Sequence, residues 1–341
     1  MKVAIVYNAR PDIEREDPKL EKEIEGDEWK TTHSIGEAAE SNGHKVTYYP
    51  INPNIYEELR KAKDKIDLVF NLSEGINGSD REAQIPMICE VLGIPYSGPG
   101  PLSAALILNK ARAKEIWKVN GIRTADWQLF KTGNETLKSE LKFPVIVKPN
   151  SEGSGIGIKN NAVTKNTKEL KANTNHIIKG YNQSALVEEF LPGREFTIGL
   201  IGNGDDLITL PIVEINFAGL PKGIAPIDSY EAKFIYGATG VVPMHETEFC
   251  PAKIGKKLEN EIVNIAKDAY NAVGCQDFAR IDMRLGKNGK VYVMEINHPP
   301  GLMSDENESS FFTIEARAAG LTFDQTIGRI LSAAIKRLNL K

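Results

Sequence analysis

Strand-like and helix-like segments alternate through residues 1–100, and this alternation restricts the fold more than any other feature of the chain. KVAIVY, KVTYYPI and DLVFNL read as strands, and the stretches Thr31 to Asn42, Tyr56 to Ala62 and Asp80 to Leu92 read as helices. A βαβαβα order of this kind implies an open, mainly parallel sheet. Between the first strand and the first helix lies an acidic, lysine-mixed insert, residues 11–30, which reads as a surface segment or a cap over a cleft. GIPYSGPGPLSAA closes this part of the chain with closely spaced Gly and Pro.

A length of 341 residues is enough for two to three domains. The net charge of −4 and the mixing of Lys with Asp and Glu argue against nucleic acid as a partner. No apolar run reaches the roughly 20 residues of a membrane helix, and Met1-Lys2 leads directly into a strand rather than a signal segment. Cys89, Cys250 and Cys275 lack metal spacing, and the five histidines form neither HxH nor HExxH, so a zinc site is not expected. A reduced, cytoplasmic protein is the expectation.

Beyond residue 100, a helix is expected from Ser103 through NKARAKEIWKVNG to Gly121, followed by strands ADWQLF and FPVIVKP. A helix near Thr167 to Lys179 precedes the strand SALVEEFL, and REFTIGLIG with DLITLPIVEI reads as an antiparallel pair. Residues 216–247 form a long irregular stretch, the usual mark of a functional loop or lid. A helix from Ala252 to Val273, a hairpin and a last helix follow; Ile327, Ile330, Leu331, Ala334, Ile335 and Leu338 give the last helix an apolar stripe.

The hairpin, FARIDMRLGKNGKVYVMEINHPPG, carries the chemistry. With its turn centred on Lys287–Asn288, Arg280 lies roughly opposite Glu295 and shares a face with Asp282. Asp282, Glu295 and Asn297 offer hard oxygen ligands of the kind Mg²⁺ takes, and a nearby arginine suits a transferring phosphoryl group. A solvated hairpin edge is the plainer reading, but VYVMEI is too apolar for it. KPNSEGSGIG, Lys148 to Gly157, follows a strand with three glycines that let backbone N–H groups approach an anion, and Ser151 and Ser154 add hydroxyls. It is neither a P-loop nor a GxGxxG turn, and Gly-Ser turns are common. Glu188 and Glu195 flank FLPG, and Lys110 projects from a helix near a domain junction; taken singly, these are ordinary surface charges. YNARPD stands after the first strand where a dinucleotide-binding glycine motif would be, which excludes a nicotinamide oxidoreductase built on that sheet.

In order and spacing, LGIPYSGPGPLSAALILNKARAK, FPVIVKPNSEGSGIG, LVEEFLPGREFTIG, SYEAKF, ARIDMRL and MEINHPPG resemble the ATP-grasp superfamily and, within it, the D-alanine–D-alanine ligase family. The resemblance covers nearly the whole chain. It implies an α/β and α+β architecture: a Rossmann-like parallel-sheet domain over residues 1–100, a central ATP-grasp subdomain over 101–185 and a C-terminal one with the metal site over 186–341. Lys110 and Lys148 match the nucleotide-phosphate lysines, Ser154 and Gly157 the loop over the phosphates, and Glu188 and Glu195 the adenine and ribose carboxylates. Phe190 and Leu191 match the hinge strand, and Lys233 a lysine reaching ATP from the ω-loop. Asp282, Glu295 and Asn297 match the ligands of two Mg²⁺ ions, with Mn²⁺ an alternative. Arg280 and the backbone of Gly301 match groups that stabilise the acyl phosphate and the tetrahedral intermediate, with Ser154 beside them. The implied reaction joins two amino acids at the expense of ATP, and the implied assembly is a homodimer.

The departures cluster where substrates would bind. In NLSEGINGSDREAQ, Glu74 stands where the family has histidine and Ser79 where it has the first acid of GEDG. IERE resembles the N-terminal signature but lies in the insert; Glu28 is an equal stand-in for the glutamate holding the first substrate's ammonium. Phe234 replaces a frequent tyrosine, which is read either as a preference for hydroxy acids or as a lid plug. Ser309 or Ser310 would hold the second substrate's carboxylate, whereas Asp305, Glu306 and Glu308 would favour a cation. The alternatives are a ligase for another acid and nucleophile pair (an L-amino acid, hydroxy acid or peptide) and a non-catalytic ATP-binding protein.

Overall fold

The computed structural model describes residues 1–9, 29–221, 223–229, 231–232, 248–306 and 310–340. β1 (Lys2–Tyr7), β2 (Lys45–Pro50) and β3 (Leu68–Leu72) form a parallel sheet in the order β2-β1-β3. Five of the six residues of β1 are buried, as expected of a parallel strand covered on both faces. On one face Val3 and Ile5 pack with Ile35 of α1 (Trp29–Ser41) and with Ile330 and Leu331 of a helix from the far end of the chain. On the other, Ala4 and Val6 meet Ile55 and Leu59 of α2 (Ile55–Ala62) and Ile85 of α3 (Gln84–Leu92). The expected alternation is therefore present.

The single helix expected after Ser103 is two. α4 (Pro101–Leu108) stops at Asn109, whose ψ of 89° takes the backbone out of the helix, and α5 (Lys110–Val119) starts there, capped by the Asn109 side chain accepting from Arg112 N. Asn is a strong N-cap residue, so the local chemistry favours the break. A second sheet, wholly antiparallel, has the order β4-β7-β5-β6: β4 (Trp127–Phe130), β5 (Val145–Pro149), β6 (Val163–Thr164) and β7 (Ala185–Glu189). α6 (Thr167–Tyr181) covers it with Leu170 and Ile177.

The third sheet runs β11-β10-β8-β12-β13, with β9 also on β8: β8 (Glu195–Ile201), β9 (Ile208–Thr209), β10 (Val213–Ile215), β11 (Glu248–Phe249), β12 (Phe278–Leu285) and β13 (Val291–Asn297). Its two faces differ. Phe196, Ile198, Ala279, Ile281, Met283 and Val293 bury one face against Trp117 of α5 and against Ile262, Ala266 and Ala269 of α7 (Lys256–Ala272). α7 begins four residues later than expected, at a cap on Gly255. The remaining helices, α8 (Phe311–Ala318) and α9 (Phe323–Arg337), pack on the other side; α8 lies just after a segment read as loop and was not anticipated, whereas α9 carries the expected stripe. Among the described residues no helix is long and apolar enough to cross a membrane.

The first and third sheets meet at Phe278, whose ring lies 6.1 Å from Phe70, 6.3 Å from Phe312 and 4.7 Å from His298. His298 is buried against Gly98, where any side chain would collide with its ring and where φ is +88°. Beside them the buried Asp277 pairs with Arg337 at 2.7 Å and accepts from Gly98 N at 2.8 Å. Burial pushes the His298 imidazole down to about 4, against the pull of Asp277. The neutral ring is the form the fold accepts, so its contribution to stability is present above the ordinary value of 6.5 and is lost as the pH falls through 4. Chemical denaturation between about pH 7.5 and pH 4 should show a fall in stability that is smaller in His298→Gln.

Candidate active site

The register of β8, β12 and β13 sets out the centre of the site. Thr197, Asp282 and Glu295 are neighbours across the three strands, and Gly199, Arg280 and Asn297 form the adjacent row. Cross-strand partners project to one side, so both rows lie on the face opposite α7. The sequence placed Arg280 opposite Glu295; the structure places Asp282 there and puts Arg280 opposite Asn297. The cause is a bulge: Met283 pairs with Val293 but Asp282 pairs with Glu295, leaving Met294 as the extra residue. A shift of one residue reverses the facing of every later side chain. Val293 faces the apolar core; without the bulge Glu295 and Asn297 would face it too.

Asp282 is the hub. It accepts two hydrogen bonds from Arg280, both at 2.9 Å, one from Thr197 Oγ1 at 2.6 Å and one from Asn297 Nδ2 at 2.8 Å. Burial alone would raise its carboxyl, but Arg280 and these donors hold it below the usual carboxylate range. Arg280 also lies over the Phe311 ring, 5.3 Å from its centroid. Across the edge of the sheet, Lys110 Nζ stands 3.2 Å from Glu295 Oε2 and donates to the carbonyl of Glu152. Lys110 is thus buried at the start of α5 rather than solvated.

A second charged group lies on the central sheet. Glu188, diagonal to Lys148 in the β5–β7 ladder, accepts Lys148 Nζ at 3.0 Å and faces Lys114 Nζ at 3.2 Å. Burial would raise Glu188, but the two lysines hold it below its ordinary value. Burial opposes the Lys148 charge, but Glu188 and Glu295 raise its ammonium overall, whereas burial carries Lys114 down to about 8. Glu188 Oε1 is buried without a hydrogen bond. In the third sheet Arg284 pairs with Glu195 at 2.7 Å, donates to Gly193 O and Pro226 O, and lies between the rings of Phe190 and Phe217 at 5.2 and 5.5 Å. Burial pushes the Glu195 carboxyl up to about 8 against the pull of Arg284.

The other expected residues are placed as follows. Ser154 and Gly157 lie in the turn after β5, with φ of +53° and +73°; a Cβ on Gly157 would lie 2.6 Å from Pro149. Phe190 and Leu191 link β7 to β8. Ser310 is buried and donates to the Gly301 carbonyl, which ties the loop after β13 to the start of α8. Glu74 is half-buried beyond the carboxyl end of β3, its N–H bonded to Asn8 Oδ1 at 2.9 Å, where ligands of parallel sheets bind. Glu28, Lys233, Phe234 and Ser309 lie outside the described residues. The sequence reading missed Lys114, Thr197, Arg284 and Glu315, although spacing pointed to the first three: Lys114 is one turn from Lys110, and Thr197 and Arg284 keep the period of two with Glu195 and Asp282. Glu315 is fully buried on α8 beside Gly199, and both its oxygens lack hydrogen bonds; burial raises its carboxyl well above the ordinary value.

Residues 116–332 match the family described as D-ala D-ala ligase C-terminus. The chain is 31% identical over 293 residues to a D-alanine–D-alanine ligase of Haemophilus influenzae, spanning 84% of this chain and 90% of that protein. It is 33% identical over 276 residues to one from Desulfotalea psychrophila, spanning 80% and 79%. The chain belongs to the D-alanine–D-alanine ligase family. Among solved structures, the D-alanine–D-alanine ligase of Bacillus anthracis complexed with ATP superposes with a TM-score of 0.72 at 21% identity, covering 99% of each chain. The VanG D-Ala:D-Ser ligase of Enterococcus faecalis gives 0.71 at 23%, covering 98% of this chain and 99% of that one. These two likenesses establish the ATP-grasp fold, and membership of the family makes the protein an ATP-dependent ligase. In this ligase the Arg284–Glu195 contact is buried, so removing either side chain leaves the other polar group buried without its partner. Arg284→Met should cost about 3–5 kcal/mol, and Glu195→Gln in the same chain should recover part of it, as measured by chemical denaturation.

Proposed function

We propose that the two charged groups are the two ends of one MgATP site, and that the ligase joins two amino acids through an acyl phosphate. The observation that carries this reading is the arrangement around Asp282: Asp282, Glu295 and Asn297 side by side, with Arg280 and Lys110 paired to them. Among the described residues no three Asp, Glu, His or Cys converge on one point. Two acids and one amide suit Mg²⁺, which keeps waters and takes the rest of its coordination from phosphates. The reading assigns Asp282, Glu295 and Asn297 to two Mg²⁺, with Mn²⁺ as a substitute. When bound, the metal would neutralise phosphoryl charge as a Lewis acid.

Lys110 and Lys148 would hold the phosphates, with the turn around Ser154 and Gly157 covering them. Glu188, whose Oε1 faces Lys114 at 3.2 Å without a hydrogen bond, fits the adenine amino group, and Glu195 fits the ribose hydroxyls. Phe190 and Leu191 would line the base, and Lys233 would reach the nucleotide from the ω-loop. ATP would then lie between the central subdomain, residues 101–185, and the C-terminal one, residues 186–341.

A substrate carboxylate oxygen attacks the γ-phosphorus as ADP leaves; the amine of the second substrate attacks the acyl carbon, loses a proton and expels phosphate. Arg280, already aligned by Asp282 and Phe311, would turn its free donors to the transferring group, and Gly301 would hold the tetrahedral oxyanion. Amino acids are proposed as both substrates because the relatives at 31% and 33% identity are named for joining D-alanine. Glu28 and Glu74 would face the first substrate, and Phe234, Ser309 and Ser310 the second.

With MgATP and a panel of D- and L-amino acids, the purified protein should release ADP and phosphate only when an acceptable pair is supplied. No release with any pair would overturn the reading. Glu295→Ala should lose at least about a hundredfold in turnover with an unchanged melting profile. Thr197→Val, which removes a donor to Asp282 but no ligand, should raise the Mg²⁺ requirement about 10–100-fold. Unchanged Mg²⁺ dependence in both variants would contradict the metal assignment.

A further inference from the structure

We propose that Arg284 is the positioning residue for ribose selection, fixing as one unit the acid that meets the ribose and the ring that lines the base. This rests on the MgATP reading above, in which Glu195 and Phe190 have those tasks and Arg284 has none. Arg284 lies on β12, directly opposite Glu195 of β8 in the ladder. It is 3% exposed. A guanidinium carries five N–H donors in a planar fork, so a buried one is met from several directions.

The groups that meet it come from two segments. From the link between β7 and β8, Gly193 O accepts from Nε at 3.1 Å and Glu195 Oε2 from Nη1 at 2.7 Å, and the Phe190 ring lies 5.2 Å away. This link is itself stitched to β12: Gly193 N donates to Leu285 O at 3.0 Å, and Leu285 N donates to Arg194 O at 2.9 Å. From the segment after β10, Pro226 O accepts from Nη2 and the Phe217 ring lies 5.5 Å away. That second segment continues to the chain just beyond the glycine-rich turn. There Ser229 Oγ donates to Asn160 Oδ1 at 2.7 Å, and Glu231 Oε2 accepts from Asn160 N at 3.0 Å.

Geometry sets the role. The Arg284 bond uses Oε2 of Glu195, so Oε1 is the atom that accepts from a ribose hydroxyl. A ribose and its base are joined at a fixed distance. An acid therefore selects a hydroxyl only when its own distance from the ring lining the base is fixed too. Arg284 touches Phe190, Glu195 and the Gly193 carbonyl between them, and it holds that spacing with one rigid plane. A lysine offers a point charge on a flexible stem and cannot reproduce the fork. Loss of a purely structural tie weakens every nucleotide alike. Loss of this residue should instead change the ratio between nucleotides that differ by one hydroxyl.

The test is calorimetric titration of MgADP and of its 2′-deoxy and 3′-deoxy forms into wild type, Arg284→Lys, Glu195→Ala and the double variant. Wild type should bind at least one deoxy form about tenfold or more weakly than MgADP. In Arg284→Lys that ratio should fall to within about threefold, as in Glu195→Ala, and the double variant should lose no more. A wild type that does not distinguish the three nucleotides, or an Arg284→Lys that keeps the wild-type ratio while Glu195→Ala loses it, would overturn the inference. Should Arg284→Lys fail to fold, Glu195→Asp decides. It keeps the acid but draws it back from the fork, so a wild-type ratio there contradicts selection by position and a lost ratio supports it. A wild type that binds no MgADP, or a Glu195→Ala that keeps the wild-type ratio, would defeat the nucleotide reading itself.

Discussion

Asp282 at the centre of the third sheet is the constraint on which the site depends. It is buried, and a buried carboxylate persists only when its charge is offset and its lone pairs are filled. Arg280, Thr197 and Asn297 do both. Each comes from the same face of β8, β12 or β13, so the hydrogen-bonded ladder that builds the sheet also builds this polar surface. The bulge at Met294 belongs to the same device. It turns Glu295 and Asn297 away from the apolar core that holds Val293.

The same principle extends outward. Lys110 is matched by Glu295, Lys148 and Lys114 by Glu188, Arg284 by Glu195 and Arg81 by Glu152. Each cation thus has an acidic partner where the proposed nucleotide would contribute charge. Binding of MgATP would then be an exchange of partners, with phosphates taking the lysines and metal taking the acids. Such an exchange avoids stranding a buried charge at any stage, which bare insertion of MgATP into an apolar cleft would not. Glu315 stands outside this balance: it lies over Gly199, directly opposite Arg280 in the ladder, and accepts no hydrogen bond.

Much of this was legible in the sequence because it rests on period and punctuation. The βαβαβα order needs only apolar runs separated by amphipathic helices, and the residues now seen around Asp282, Glu188 and Lys110 were marked by motifs in fixed order. What stayed hidden depends on single residues acting against the pattern. VYVMEI alternates smoothly, so nothing in it marks Met294 as the extra residue. NKARAKEIWKV is good helix on both sides of Asn109, so the break shows only through the capping bond. Arg81 and Glu152 are seventy-one residues apart, and neither lies in a motif that points to the other. α8 was missed because its eight residues follow an acidic loop and are held by burial of Phe312 and Ala316 rather than by a strong local signal.

The central claim is that the carboxylate is activated by phosphoryl transfer on the face around Asp282. Carrying a heavy oxygen isotope in the carboxylate of the first amino acid through turnover tests it directly, with mass analysis of the products. An acyl phosphate route places the label in inorganic phosphate, with ADP as the nucleotide product. Label in AMP, or peptide formed with unlabelled phosphate, would contradict it.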